Sequence, residues 1–335
     1  MYKFSIIISL LFLSAFKGQA QQPILKVITS GTQTNLRGLS SRDGHTIWVS
    51  GSAGQVGLSM DSGQTFKWVS PRGYENRDFR DIADLGDGSA VVIGVDTPAL
   101  ILKTTDYGRH WQQVFYDPQP GMFLDAVDFS DPEHGLVVGD PISEYPFIAT
   151  TDNGASHWQV QKHPALKSTV VKAEAFFAAS GSNVITDSSG EYMLISGGLQ
   201  SRFWQNGKAA ENLPFCQGTP TAGPNGMDKR GNTIAIVGGD FTKPERGDSS
   251  FAISFDKGQT WQPYNRLPGY GSGISIISDS TLISCGLKGV WMSENGGKGW
   301  ETIASQPFNA CLYLSSYGRV FLAGPRGSIA VINGL

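Results

Sequence analysis

An eight-residue motif recurs along this chain and limits what it can fold into. Ser59-Met60-Asp61-Ser62-Gly63-Gln64-Thr65-Phe66 returns as Thr104-Thr105-Asp106-Tyr107-Gly108-Arg109-His110-Trp111 and as Ser254-Phe255-Asp256-Lys257-Gly258-Gln259-Thr260-Trp261. Thr150-Thr151-Asp152-Asn153-Gly154, followed by Ser156 and Trp158, reads as another copy with Asp152 as its acid. Ser293-Glu294-Asn295-Gly296-Gly297-Lys298-Gly299-Trp300 is a worn one. Each part of Ser/Thr-x-Asp-x-Gly-x-x-Trp/Phe has a physical task. A short carboxylate accepts backbone N–H bonds across a tight turn, Gly supplies φ > 0, and the ring seals the next strand against a core. On this reading Asp61, Asp106, Asp152 and Asp256 are structural. One copy would constrain little, but five demand a repeat fold.

The first three acids lie 45 and 46 residues apart, and 104 residues, two longer periods, separate Asp152 from Asp256. Periods of roughly 40–50 residues holding four strand-like runs each are the pattern of propeller blades. The runs 36–40, 46–50, 55–60 and 66–69 make a first unit, rich in Val, Ile, Thr and aromatics and bounded by Gly, Asp and Pro. Two more units follow. The fourth, about 172–212, lacks the motif and turns at Asn206-Gly207, a type I′ hairpin signal. The fifth (219–264) carries an insertion at 242–249, and the sixth runs over 271–303. The seventh, from Phe308, has only three strand-like runs. A ring must close or leave sticky edges, and the orphan run Ile24-Leu25-Lys26-Val27-Ile28-Thr29 is the missing strand. The expected fold is all-β: a seven-bladed β-propeller of four-stranded antiparallel blades, one domain over 21–335, with the N-terminal strand closing the last blade.

Residues 1–20 read as a secretory signal. Lys3 flanks an apolar run over 4–16, and Gly18-Gln19-Ala20 offers small residues for cleavage after Ala20. The run is short for a ~20-residue membrane span, and no later segment is apolar enough to cross. The mature chain is therefore expected to be secreted or periplasmic, and monomeric. A net charge of −3 gives no reason to expect nucleic acid. Cys216, Cys285 and Cys311 have no CxxC spacing. Cys285 and Cys311 sit in apolar runs, either as small core hydrophobes or as a bonded pair between neighbouring repeats.

Blade geometry sorts residues by face. The motif turns join third to fourth strands on one rim. The loops after second strands, and those leading into first strands, lie on the opposite face. That face collects Asp96, Asp140 and Asp240 after Gly-ended second strands, and Arg37, Arg80-Asp81, Asp125, Glu174 and Asn309 at the starts of first strands. The loop Pro71-Arg72-Gly73-Tyr74-Glu75-Asn76-Arg77 and Lys172 feed the same mouth. A mixed rim of arginines and acids suits a polar ligand or a partner's loop, and Tyr74 with Arg72 and Arg77 is the best anchor candidate. The bland alternative is that each Asp fixes its own turn and pairs with an arginine. The five histidines share no ligand spacing, and GxSxG, HExxH and P-loop patterns are missing. No catalytic residue, metal site or cofactor is expected.

The recurring motif is the Asp box of BNR-type repeats. With the Gly-rich second strands Val137-Val138-Gly139 and Ile47-Trp48-Val49-Ser50-Gly51, the chain resembles the photosystem II stability/assembly factor-like propellers over about residues 24–335. Secreted bacterial members carry stretches similar to Leu124-Asp125-Ala126-Val127-Asp128-Phe129, Val138-Gly139-Asp140-Pro141, Phe176-Phe177-Ala178-Ala179-Ser180-Gly181, Gly238-Gly239-Asp240 and Gly327-Ser328-Ile329-Ala330. Such proteins are often labelled "oxidoreductase", a label no redox motif here supports. The resemblance implies a chaperone-like binding platform with an arginine patch, for which Arg37, Arg72, Arg77 and Arg80 are the matching residues. The partner would be a protein, for example of the envelope, or a glycan. The rival is a sialidase-like glycoside hydrolase with the same box. That class needs an arginine triad and a Tyr–Glu pair. Tyr74 and Glu174 could supply the pair only by selection, and the Phe/Tyr-Arg-Ile-Pro motif is absent.

Overall fold

The computed structural model describes residues 24–29, 32–142, 145–161, 173–206, 208, 211–264 and 266–335; the signal segment and Lys172 lie outside them. Seven antiparallel sheets follow one another in a ring. Blade 1 is Leu36–Ser40, Ile47–Gly51, Val56–Ser59 and Lys67–Trp68, hydrogen-bonded in that order from the channel outwards. Blade 2 starts at Phe79–Gly86, blade 3 at Leu124–Phe129, blade 5 at Ala222–Arg230 and blade 6 at Gly273–Ile276. Blade 7 contributes Ala310–Leu314, Arg319–Ala323 and Ile329–Asn333, and its outer strand is Ile24–Thr29, with Ile24 opposite Asn333. The closure expected from the orphan strand is thus present.

Blade 4 departs from the simple unit. Its inner strand is broken into Glu174–Ala175 and Val184–Thr186, both paired with Tyr192–Gly198. The residues between, 176–183, leave the sheet. Asn206 turns the next hairpin with φ 51°, accepting the Tyr192 amide on its Oδ1 at 2.7 Å.

Most apolar clusters belong to two blades at once. Trp48 and Val56 of blade 1 pack with Phe79, Ile82, Val92 and Leu102 of blade 2, all buried. Each such side chain contributes roughly 1.5–3 kcal/mol, so seam burial is the main force holding the ring.

The boxes reinforce those seams. In the first, the Asp61 carboxylate accepts the Thr65 amide (2.9 Å) and hydroxyl (2.6 Å), while Ser59 Oγ accepts the Gly63 amide (2.9 Å). Asp106 and Asp256 do the same with His110 and Thr260. The glycine has a second duty. Gly63, at φ 78°, lies against Phe321 of blade 7 so closely that a Cβ would come within 2.2 Å of its ring. Gly108, Gly258 and Gly297 meet Val69, Phe203 and Phe251 of the preceding blades in the same way. The box rings Trp111, Trp261 and Trp300 meet Trp48, Phe203 and Phe251 edge to face. Each box fastens its blade to the one before.

The third box needs correction. Its acceptor is Asn153, not Asp152: Asn153 Oδ1 takes the Thr151 hydroxyl and the His157 amide, and Ala155 fills the glycine position at φ 64°. The motif starts at Thr151, one residue later than the acid suggested, which keeps Trp158 seven residues on. An amide oxygen accepts the turn's N–H groups as a carboxylate does.

Candidate functional site

Strand polarity puts the sequence-selected residues on the face opposite the boxes. A common device aims them inward. In blades 1, 2, 3 and 5 the inner strand carries a β-bulge at its first turn, and the extra residues are Arg37, Arg80, Asp125 and Asn225. A bulge re-aims the side chain it adds, so four blades present a polar group to the channel mouth. Asn225 was not selected from the sequence. Its register equivalence to Arg37 was the available signal.

The structure brings Arg37, Arg80 and Asp140 into one charged cluster with Asp78, Asp125 and Tyr270. Arg37 Nη1 donates to the Ala179 carbonyl at 3.1 Å; burial, then the nearby Arg80 charge, lowers its pKa. Arg80 Nε donates to Asp78 at 2.8 Å, and its guanidinium lies 5.7 Å from the Phe123 ring centroid. Asp125 is 1% exposed; the backbone amides of Ala178 and Asp140 face its carboxyl, but neither oxygen takes a well-aligned hydrogen bond. Burial and then the Asp140 charge raise its pKa well above the carboxylate range. Asp140 accepts the Phe176 amide at 3.0 Å, and burial pushes it up to about 6.

The other candidates are held apart. Arg77 donates to the carbonyls of Asp96 (2.7 Å) and Pro98 (2.6 Å), tying two loops together and leaving the exposed Asp96 carboxylate free of it. Tyr74 is half-buried against the Trp48 cluster, and Arg72 is exposed. Glu174 is buried and ion-paired with Arg202, whose guanidinium stacks 4.5 Å from the Trp204 ring centroid. Asp240 takes bonds from Thr221, Thr242 and Lys243. Burial would raise its pKa, but these donors outweigh that and hold it below the usual range. Asn309 donates to Asn35 and to the Leu36 carbonyl, joining blade 7 to blade 1.

The broken inner strand of blade 4 fills the channel on this side. Besides taking the Arg37 bond at Ala179, the 176–183 segment sets Gly181 (φ 72°) against Asp81 of blade 2, where a Cβ would fall 2.1 Å from Oδ1. The Ser182 carbonyl accepts the Met227 amide of blade 5. Below this plug a cavity of ≈ 680 Å³ opens among the ends of the inner strands, on the box side, lined by Arg42, Asp84, Asp128, Asp228, Arg230 and Tyr313 among others. Its acids bridge blades: Asp128 accepts the Thr186 amide (2.7 Å) and Asp228 the Ile276 amide (2.6 Å). Burial raises both, Asp228 to about 6. Among the described residues no group of three His, Cys, Asp or Glu is placed to hold a metal.

Three apolar side chains stand out on the plugged face, one on each of three consecutive turns between second and third strands. They are Leu199 (blade 4), Phe241 (blade 5) and Leu287 (blade 6), about 40% exposed each. Phe241 sits edge-on to Phe177, ring centroids 5.9 Å apart. Lys243, Lys288 and Arg326 are exposed on the turns of blades 5–7.

Among solved structures the chain is similar to "YCF48 bound to D1 peptide", with a TM-score of 0.65 and 18% identity over 92% of this chain and 96% of that one. It is equally similar to "YCF48 from Cyanidioschyzon merolae", with a TM-score of 0.65 and 20% identity over 92% and 98%. The fold is that of YCF48. The resemblance to photosystem II assembly factor-like propellers is thereby met at the level of architecture. No protein-family model and no curated protein matches the chain.

Proposed function

We propose that this propeller is an extracytoplasmic platform that binds a protein partner on its plugged face. The observation that carries the reading is the arc of Leu199, Phe241 and Leu287, exposed on equivalent turns of consecutive blades, with Lys243, Lys288 and Arg326 exposed on turns of blades 5–7. Contiguous exposed apolar groups rimmed by charge mark interaction surfaces. Arg72, Tyr74 and Arg80 extend the surface across blades 1 and 2, while Arg37, Arg77, Asp140, Glu174 and Asp240 shape it from beneath. A partner with apolar and acidic side chains fits this chemistry. That YCF48, a propeller of the same architecture, has been solved with D1 peptide supports a polypeptide occupant. Envelope proteins are the class to search if the signal segment directs export. Because Arg202 holds the Glu174 carboxylate, a Tyr–Glu nucleophile pair for glycoside hydrolysis gains no support.

The test is capture of envelope proteins by immobilised wild-type propeller, compared with Phe241→Ala/Leu287→Ala and Arg72→Glu/Lys288→Glu proteins of unchanged thermal stability. Partners should weaken at least tenfold with either pair. Retention of every partner by both variants would refute the reading. Arg77→Ala is a poor probe, because it releases two loop carbonyls.

A further inference from the structure

Five seams of the ring are fastened by a box. The seam between blades 3 and 4 is not, because blade 4 has none. Nor is that between blades 6 and 7: blade 7 takes its outer strand from residues 24–29, so no turn joins its third strand to its fourth. At this second seam two cysteines meet. Cys285 lies in the second strand of blade 6 (Leu282–Gly286), fully buried, and Cys311 in the inner strand of blade 7. The Cys311 thiol lies 3.9 Å from the Ile283 carbonyl and 3.8 Å from Ser275 Oγ, both in blade 6, and packs in the same apolar cluster as Cys285. Both cysteines are free in this structure, and Cys311 lines the ≈ 680 Å³ channel cavity.

We propose that Cys285 and Cys311 form a disulfide that fastens blade 6 to blade 7 once the chain meets an oxidising small-molecule disulfide. Cys311 is half-buried and lines the cavity whereas Cys285 is fully buried, which sets the order of events. The Cys311 thiolate attacks the external disulfide, whose S–S bond breaks; one half leaves as a thiol and the other stays on Cys311. The Cys285 thiolate then attacks the Cys311 sulfur and expels the second half. Two protein thiols are oxidised, one external disulfide is reduced to two thiols, and the protons of Cys285 and Cys311 pass to the departing halves. Burial raises the Cys285 pKa, so the second step is slow near neutrality and quickens as pH rises. In cells closure depends on the extracytoplasmic location proposed above; in vitro it does not.

The experiment incubates full-length wild-type protein with oxidised glutathione at about pH 8.5, traps thiols with iodoacetamide and maps peptides by mass spectrometry. The expected result is a Cys285–Cys311 cross-link with Cys216 alkylated. The melting temperature should rise by roughly 5 °C over dithiothreitol-treated protein, a difference lost in Cys285→Ser/Cys311→Ser. Full alkylation of both cysteines after prolonged exposure, with the fold retained, would overturn the proposal, as would pairing of either with Cys216. A chain that closes in vitro but is recovered reduced from cells supports the clasp and counts against the location.

Discussion

Replacing Asp140 by Asn removes a negative charge from beside the buried Asp125. The carboxyl is held at about 6 in the folded chain against roughly 3.9 in an unfolded one. A difference of that size opposes folding by about 3 kcal/mol at pH 7. The folded chain binds this proton more tightly than the unfolded chain. Stability should therefore rise as pH falls from 7 towards 4, and be lost as pH climbs through 6. Between pH 7 and pH 5 the Asp140 site alone should add about 1.4 kcal/mol. Asn keeps an oxygen for the Phe176 amide and turns its NH₂ towards Asp125, so the variant should be about 1–2 kcal/mol more stable than wild type at pH 7, half the limit because Asn is itself desolvated. Urea denaturation at pH 7 and pH 5 measures both quantities. Asp140→Asn should lose about 1.4 kcal/mol of the wild-type gain on acidification, leaving the part due to the other raised acids, Asp125, Asp128 and Asp228 among them. If the variant is less stable than wild type at pH 7, or its gain is unchanged, the assignment of the strain to Asp140 is wrong.

Other outcomes follow from the same contacts. Glu174→Gln or Arg202→Leu breaks a buried ion pair and should cost about 3–5 kcal/mol in chemical denaturation, whereas changing both to apolar residues should cost much less. Asp152→Ala should leave the melting temperature unchanged, while Asn153→Ala, which removes the real acceptor of the third box, should cost about 1 kcal/mol. Deleting residues 1–31 uncovers the edge of Ile329–Asn333, and size-exclusion chromatography should show association or aggregation through it. Asp61, Asp106 and Asp256 are held at about 2 by their turn donors. The stability they confer is present above about pH 4 and disappears as pH falls through about 2. Set against the raised channel acids, this places the optimum between about pH 4 and 5, readable from melting temperature against pH.

The ring was legible because a box, a period and an orphan strand agreed on it. The register of the third box was not, since Asp152 and Asn153 are adjacent and either can accept hydrogen bonds. The choice is made by the distance from acceptor to ring, five residues in the other boxes and from Asn153 to Trp158. The break in the fourth inner strand was equally hidden: Phe176-Phe177-Ala178-Ala179 is an apolar run with no breaker in it, and only contacts with blades 1, 2 and 5 pull the segment into the channel. At the mouth, polarity and face could be read, but not what each group touches. Arg77 meets carbonyls and Glu174 meets Arg202, a residue that shows no sign in the sequence of facing inward. The apolar arc was missed because exposure leaves no pattern in a turn, although Leu199, Phe241 and Leu287 each directly follow the last residue of a second strand.

The fastening of each blade to its predecessor has a consequence for how the ring comes apart. Boxes link blades 7, 1, 2 and 3 into one run and blades 4, 5 and 6 into another, and the two joints between these runs rely on packing, the channel acids and, when oxidised, one pair of sulfurs. Native-state hydrogen exchange should accordingly resolve two cooperative units of four and three blades. A molecule that breathes along those joints would loosen first around Phe176–Asn183 and Cys311, the places where the plug and the thiol meet the channel.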